Sequence, residues 1–372
     1  MSGPGERPLL RIWVHALDRT GPPVLVRTLL AWLVEVRPDL RLEVLAFRGG
    51  EMEGEVASLA PVRVVLDDHE PWEHASPDPA RLDELRGRFA DLEVAAANLL
   101  VSTSAAQALQ VVGEVGPIVA WSVEIGEDLH WLDGPVPVRA RVDRWLAGSA
   151  GTAAELQGRL GHPVPVAHEF VAGPAVAASP DEARDAVGVP VDLPLVVGAG
   201  IGTHRKGVDL FLEAALAASR LAPEVQFCWV GGAADPLRPR VADLAERLGL
   251  ASFHVAPSTP ALDDVLAAAD AFAHPARVDA FPLVCLHAAL VATPVVGFAG
   301  CGGLQEMFGP TARLVPYPDV AALADAVVAL AIERRSGATG PSQQAHVAAR
   351  YRVEVAAPAL LDALADLVGT GS

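Results

Sequence analysis

Lysine is almost missing from this chain: across 372 residues, with 28 lysines and arginines together, Lys206 is the only one. Either it is a chance survivor of a coding bias toward arginine, or it marks a place where a compact ammonium on a flexible stem is needed and a planar guanidinium would not fit. Cysteine is nearly as scarce. Cys228, Cys285 and Cys301 are odd in number, widely spaced and free of CxxC spacing. That excludes a disulfide framework or a cysteine zinc site, and the three read as reduced structural thiols. Net positive charge is lacking too. At a formal −18, with aromatics at 5% and no arginine-rich stripe interleaved with them, the chain would repel a phosphate backbone, so nucleic acid is excluded as a partner. The same charge argues against a polybasic membrane-surface site. No run approaches the roughly 18–20 apolar residues that span a bilayer. The opening MSGPGERPLL shows no basic, apolar and cleavage-site succession, so the expected compartment is the cytoplasm.

What is present is aliphatic. The hydrophobic fraction is 51%, and the length suits two domains, each able to bury its own core. Short apolar runs alternate with helical patterns, as in βαβ units on parallel sheets. Strands are predicted at Leu10–His15, Leu42–Phe47, Val62–Leu66, Asn98–Val101 and Ile118–Trp121, with helices at Pro23–Val36, Pro77–Leu92 and Pro135–Trp145. The small-residue stretch VAGPAVAASPDEARD, from Val171, suits an interdomain connection. Beyond it, strands are expected at Leu193–Ala199, Val225–Val230, Ser252–Ala256, Ala271–Pro275, Pro294–Ala299 and Ala312–Val315. The intervening helices are expected at Lys206–Leu221, Pro236–Leu248, Ala261–Ala269, Phe281–Ala292 and Val320–Ile332. A last helix, from about Gln344 to Val368, is expected to pack back across the first domain. The division predicted is residues 1–172 with 344–372, and residues 173–343.

Open α/β sheets bind ligands beyond the carboxyl ends of their strands, so the residues after each strand carry the functional reading. GAGIGTHRKGVDLF delivers Arg205 and Lys206 to the start of a helix, a local cost unless an anion sits there. WVGGAAD offers Gly231 and Gly232 for close approach, although an ordinary βα turn explains a glycine pair equally well. In the first half, LDRTGPPVL follows the first strand and contains Gly21. AWSVEIGEDLHW gathers Glu124, Glu127, Asp128 and His130, which also suit a solvated acidic loop, as do Asp67, Asp68, His69 and Glu70.

The segment HPARVDAFPLVCLHAALVATPVVGFAGCGGLQE resembles the donor-site motif of retaining glycosyltransferases of the GT-B fold, family 4. There a Pro-Ser-Arg-x-Glu-Gly-Phe-Gly loop opens a helix, a second glutamate follows eight positions after the first, and Thr-Pro-Val-Val leads to Gly-Gly-x-x-Glu. The matches are Pro275, Arg277, Phe281, Leu283, Ala288, Thr293, Pro294, Val295, Val296, Gly302, Gly303 and Glu306, with Lys206 and Gly207 matching an earlier Lys-Gly. The resemblance covers the second domain well and the first only in outline.

It implies an α/β, GT-B architecture: two Rossmann-like doubly wound domains facing a central cleft, the acceptor on the N-terminal one and the nucleotide sugar on the C-terminal one. It also implies a retaining, metal-independent glycosyl transfer from a nucleotide diphosphate sugar, UDP or GDP favoured over TDP, with no other cofactor. The acceptor would be a hydroxyl of a small molecule or glycan, with natural-product (antibiotic) biosynthesis as one setting. No integral-membrane partner is expected, and a homodimer is left open.

The roles carried over place Lys206 and Arg205 on phosphate, with Arg277 as a second candidate because Ile201 stands where the family has arginine. Ala280, Phe281, Pro282 and Leu283 form the diphosphate-holding helix start, and Glu306 lies by the sugar or diphosphate. Val255 and Ala256 offer backbone to the base, and Gly21 lies near the sugar phosphate. Asp279 and His287 replace the two glutamates: Asp279 stays anionic beside the sugar, whereas His287 offers the ribose a single acceptor. For His287 a core-satisfied helix histidine is the alternative. In the first domain Glu124, then His130, is the candidate near the reacting sugar. The rival functions are a GT-B epimerase or phosphorylase, and an accessory subunit with a degenerate donor site.

Overall fold

A computed structural model describes residues 7–66, 79–133, 138–231, 237–335 and 342–369. Asp67, Asp68, His69, Glu70 and Gly232 lie outside the described residues. The chain forms two compact units, Met1–Phe170 with Val353–Ser372, and Val171–Arg352. Among the described residues no helix is long and apolar enough to cross a membrane.

In the first unit, strands β1 (Leu9–Val14), β2 (Arg41–Ala46), β3 (Val62–Val64), β4 (Ala97–Val101), β5 (Ile118–Ser122) and β6 (Arg144–Ala147) form one parallel sheet in the order β3-β2-β1-β4-β5-β6. Its helices are α1 (Gly21–Val36), α2 (Glu53–Ala57), α3 (Pro79–Arg88) and α4 (Ala150–Leu160), with 3-10 turns at Thr103–Gln110, Gly126–Asp133 and Val138–Arg141. Strands covered on both faces must be apolar along their whole length, and β1, β4 and β5 are buried at every position. Arg11 and Asn98 are tolerated there because their polar atoms are satisfied. The Arg11 guanidinium donates to Glu43 at 2.8 Å, and Asn98 accepts from the Trp13 indole at 3.0 Å while donating to the Val115 carbonyl at 2.8 Å.

The predicted helix Pro135–Trp145 is corrected. Val138, Val142 and Trp145 are spaced like one face of a helix, but the open edge of β5 captures Arg144–Ala147 as β6, pairing Val119 with Arg144 and Ala120 with Trp145. Among the described residues of that segment, only Val138–Arg141 retains a helical turn.

The second unit holds β7 (Leu195–Ala199), β8 (Gln226–Gly231), β9 (Phe253–Pro257), β10 (Ala271–His274), β11 (Val295–Phe298) and β12 (Leu314–Val315), in the order β12-β11-β10-β7-β8-β9. Its helices are α5 (Pro180–Ala186), α6 (Val208–Ala218), α7 (Arg238–Arg247), α8 (Leu262–Ala268), α9 (Leu283–Leu290), α10 (Leu304–Phe308), α11 (Val320–Arg335) and α12 (Ser342–Ala348). Phe211 of α6 packs edge-on against Phe227 and Trp229 with ring centroids 5.5 Å away, at the heart of this core. Burial pushes the Cys228 thiol up to about 12 and Cys285 well above its ordinary value, which leaves both as inert core groups.

The single terminal helix predicted from Gln344 is also corrected. Tyr351 interrupts it by accepting the Val171 N–H at 3.0 Å, which requires extended backbone. α12 therefore stays on α9 in the second unit, and only α13 (Val353–Asp362) and α14 (Ala365–Val368) join the first, where α13 packs against α1 and Arg37 donates to the Val368 carbonyl at 3.2 Å. The units thus divide after 170 and 352, where the sequence reading had put 172 and 343.

Candidate active site

In the second unit β7 has β8 on one side and β10 on the other, so the chain leaves these two neighbours, β7 and β10, toward opposite faces and opens a crevice at their carboxyl ends. The loops that follow are locked together. Arg277 donates its backbone N–H to the Arg205 carbonyl at 2.8 Å and its guanidinium to the His204 carbonyl at 2.6 Å. Gly207 takes a left-handed φ of 72°, and a Cβ there would lie 2.1 Å from the Pro275 carbonyl oxygen, so no other residue allows this approach.

That geometry moves the helix starts. The sequence reading began one helix at Lys206 and another at Phe281. The left-handed Gly207 delays α6 to Val208, and Pro282, in an extended conformation, is the cap that precedes α9 rather than its first turn. Lys206 therefore sits on the turn itself. Its ammonium lies 2.5 Å from Asp279 Oδ2, close to the turn that leads into α9.

Asp279 is the centre of a cluster of two cations, Lys206 and Arg205, and a histidine. His274 Nε2 stands 3.3 Å from the same oxygen, and Arg205 Nη1 is 3.9 Å from the other. Burial alone would push this carboxyl up; the Lys206 charge, then His274, then Arg205 overcome that and hold it far below the usual carboxylate range. The backbone is fixed as well: Asp279 N–H donates to the Cys301 carbonyl at 2.9 Å, and its carbonyl accepts from Gly303 at 3.0 Å. At Gly302, φ 125°, a Cβ would lie 1.8 Å from the Asp279 oxygen. The Gly-Gly pair is thus what lets the 301–303 turn clasp Asp279.

The remaining candidates fall around this cluster. Arg205 is the arginine that joins it, while Arg277 is committed to Asp209 through two 2.8 Å bonds. Ala280, Phe281, Pro282 and Leu283 are buried at the entry to α9, with Phe281 edge-on to Tyr351 at 5.2 Å. Glu306 is half-buried on α10, and its carbonyl accepts the Tyr351 hydroxyl at 3.3 Å. His287, on α9, has Nδ1 2.9 Å from Asp263. Val255 and Ala256 lie on the edge strand β9. Gly231 ends β8, where a Cβ would press on the Gly200 carbonyl at 2.7 Å, so its small size serves strand-to-turn packing. Among the described residues no three His, Cys, Asp or Glu side chains form a ligand set for a metal.

In the first unit, Gly21 opens α1 after β1. Glu124 is heavily engaged. Its two oxygens accept the Thr103 N–H at 3.0 and 2.9 Å, the Val123 N–H at 3.2 Å and the Ser122 hydroxyl at 3.3 Å, and the Ser102 hydroxyl also donates to it. Ser102 has φ 83°, a strained conformation for a residue with a side chain, and Glu124 holds it at the end of β4. Glu124→Gln places an amide against these donors and is expected to lower the unfolding free energy by about 1–3 kcal/mol, checked by urea unfolding. The backbone of His130 lies in the 3-10 stretch Gly126–Asp133; its side chain is outside the described residues.

The sequence reading passed over three residues. His274 opens the quoted segment without being assigned a role, and its position at the end of a buried strand was the available signal. Asp263 and Asp209 gave none, since each matters only through a partner brought to it by folding.

With this geometry in place, residues 194–332 match the family described as glycosyl transferases group 1. They form a glycosyl transferases group 1 domain. Two curated relatives are named D-inositol 3-phosphate glycosyltransferase. The protein from Catenulispora acidiphila is 30% identical over 59% of this chain and 61% of its own length; that from Xylanimonas cellulosilytica is 31% identical over 52% and 47%. The matched part is thus less than two thirds of either relative. Among solved structures, HepE from Anabaena in complex with UDP-glucose superposes with TM-score 0.77 at 19% identity, covering 96% of this chain and 100% of that one. Sucrose-phosphate synthase from Thermosynechococcus elongatus gives TM-score 0.70 at 18% identity, covering 97% and 99%. The fold is GT-B. Lys206, Asp279, His287 and Glu306 all lie within the group 1 domain.

Proposed function

We propose that the chain is a retaining, metal-independent glycosyltransferase that moves a sugar from a nucleotide diphosphate sugar, UDP or GDP before TDP, to a hydroxyl of a small-molecule or glycan acceptor. The observation that carries this reading is the Lys206 ammonium meeting Asp279 at the switch point of the group 1 domain, with Arg205 and His274 around the same carboxylate. Glycosidic cleavage from such a donor leaves negative charge on the diphosphate, and fixed cations aimed there lower the barrier. Lys206 and Arg205 hold the phosphates beside the entry to α9, whose dipole adds to the attraction. Asp279 faces the sugar's hydroxyls, Glu306 the sugar or diphosphate, and His287 the ribose. The departing phosphate takes the acceptor's proton on the face it leaves, which retains configuration. The acceptor falls to the first unit, where Gly21 and the Glu124 and His130 segment lie.

The group 1 match, the relatives' names and the UDP-glucose bound to HepE support this reading. The test is calorimetric titration with UDP and GDP, then product analysis with UDP-glucose, GDP-mannose and an acceptor panel that includes D-inositol 3-phosphate. A new glycoside is the expected product. An epimer in place of a glycoside favours the epimerase rival, and binding of neither nucleotide overturns the proposal. A second reading, an accessory nucleotide-binding protein, draws on the Lys206–Asp279 pair, in which the two key charges already neutralise one another; binding without turnover across the panel favours it.

A further inference from the structure

His287 is paired from behind. Its Nδ1 lies 2.9 Å from Asp263 Oδ1, and the other Asp263 oxygen accepts the Ala175 N–H at 2.9 Å. Burial would raise the Asp263 carboxyl, but the hydrogen bonds from His287 and the Ala175 N–H outweigh it and hold it below its ordinary value, so it accepts from both. The hydrogen in the contact therefore belongs to the imidazole, and Nδ1 is the donor. With Nδ1 committed, the ring has one nitrogen left, Nε2, and so can make one hydrogen bond to a vicinal diol. Held from two sides, Asp263 also keeps the ring from flipping to offer the other nitrogen. A carboxylate on the same helix position would instead present two oxygens to a vicinal diol.

Resting on the reading of His287 as the residue that faces the ribose, we infer that the Asp263–His287 pair is a single-contact clamp that grips one of the two ribose hydroxyls and is indifferent to the other. The donor class thereby widens to deoxyribonucleoside diphosphate sugars lacking the ungripped hydroxyl. Asp263 is a positioning residue in this arrangement, since it acts through the orientation of His287.

The experiment is calorimetry at neutral pH on the full chain with UDP and GDP and the 2′-deoxy and 3′-deoxy counterparts of each. For the nucleotide that binds, one deoxy analogue is expected to lose about 5- to 10-fold in affinity, the loss of one hydrogen bond, while the other stays within about 2-fold. His287→Ala abolishes the difference between the analogues, Asp263→Ala reduces it, and His287→Glu makes both analogues weaken. Equal behaviour of the two analogues with the wild-type chain, whether both weaken or neither does, overturns the clamp while leaving nucleotide binding intact. Failure of both parent nucleotides to bind removes the nucleotide reading and the clamp together, so the two failures are distinguishable.

Discussion

Lys206→Ala is expected to reduce sugar-transfer turnover by about 100- to 1,000-fold, the range seen when one fixed donor to developing negative charge is removed. The Lys206 side chain is four-fifths buried, and its ammonium is the cation nearest Asp279, at 2.5 Å. No other lysine exists in the chain to substitute for it. Arg205 reaches only 3.9 Å from the carboxylate, and its guanidinium already donates to the Val278 carbonyl at 3.1 Å. Nucleotide diphosphate affinity should fall by about 10-fold or more, because the lost charge faces the ground-state diphosphate as well. Lys206→Arg should restore little, since the planar fork cannot take the place of a point charge on the tightly locked turn. The measurements are steady-state kinetics and calorimetry, with a thermal melt to establish that the variant is folded; wild-type kinetics in a folded Lys206→Ala chain would falsify the phosphate assignment.

Asp279→Asn should separate binding from chemistry in the opposite sense. The amide has nearly the same shape but removes the one negative charge among Lys206, His274 and Arg205. The cations released from it attract the diphosphate at least as strongly as before, so nucleotide affinity is expected to hold or rise a few-fold. Turnover is expected to drop about 100-fold as the anion beside the sugar is lost. Parallel losses in affinity and turnover would contradict the division of roles. Stability adds an independent check. The folded Asp279 carboxyl lies below its unfolded value of about 3.9, so its contribution is complete above that pH and is lost as pH falls through the folded-state value. The gap in unfolding free energy between wild type and Asp279→Asn should therefore be widest near neutrality and shrink below about pH 4. A gap unchanged from about pH 7 to pH 2 would mean that the ion cluster contributes nothing to folding.

Much of the fold was legible because buried parallel strands leave a plain mark. Runs such as LLRIWV and LVVGA are apolar throughout and separated by helical patterns, and both sheets follow from them. What misled was periodicity where a sheet edge competed for the same residues. Val138, Val142 and Trp145 fit a helix face, yet the unpaired side of β5 offered Arg144–Ala147 a full ladder of hydrogen bonds. The terminal helix erred in the same manner, since the apolar spacing from Gln344 onward holds no sign that Tyr351 bonds Val171 across 180 residues of chain.

The candidate site divides along a similar line. Lys206 stood out in the sequence as the lone lysine, whereas Asp279, His287 and Glu306 were singled out by the resemblance of their segment to the donor-site motif of GT-B glycosyltransferases. Which of them touch was a matter for the tertiary structure. Lys206 and Asp279 are 73 residues apart, and they meet only because β7 and β10 lie side by side and Gly207 lets their loops close on Pro275. His274, Asp263 and Asp209 gained their importance from that same closure. A charge pattern along a chain records which groups are available, but the field at a buried carboxylate depends on distances through space, and those are set only when the sheet is assembled.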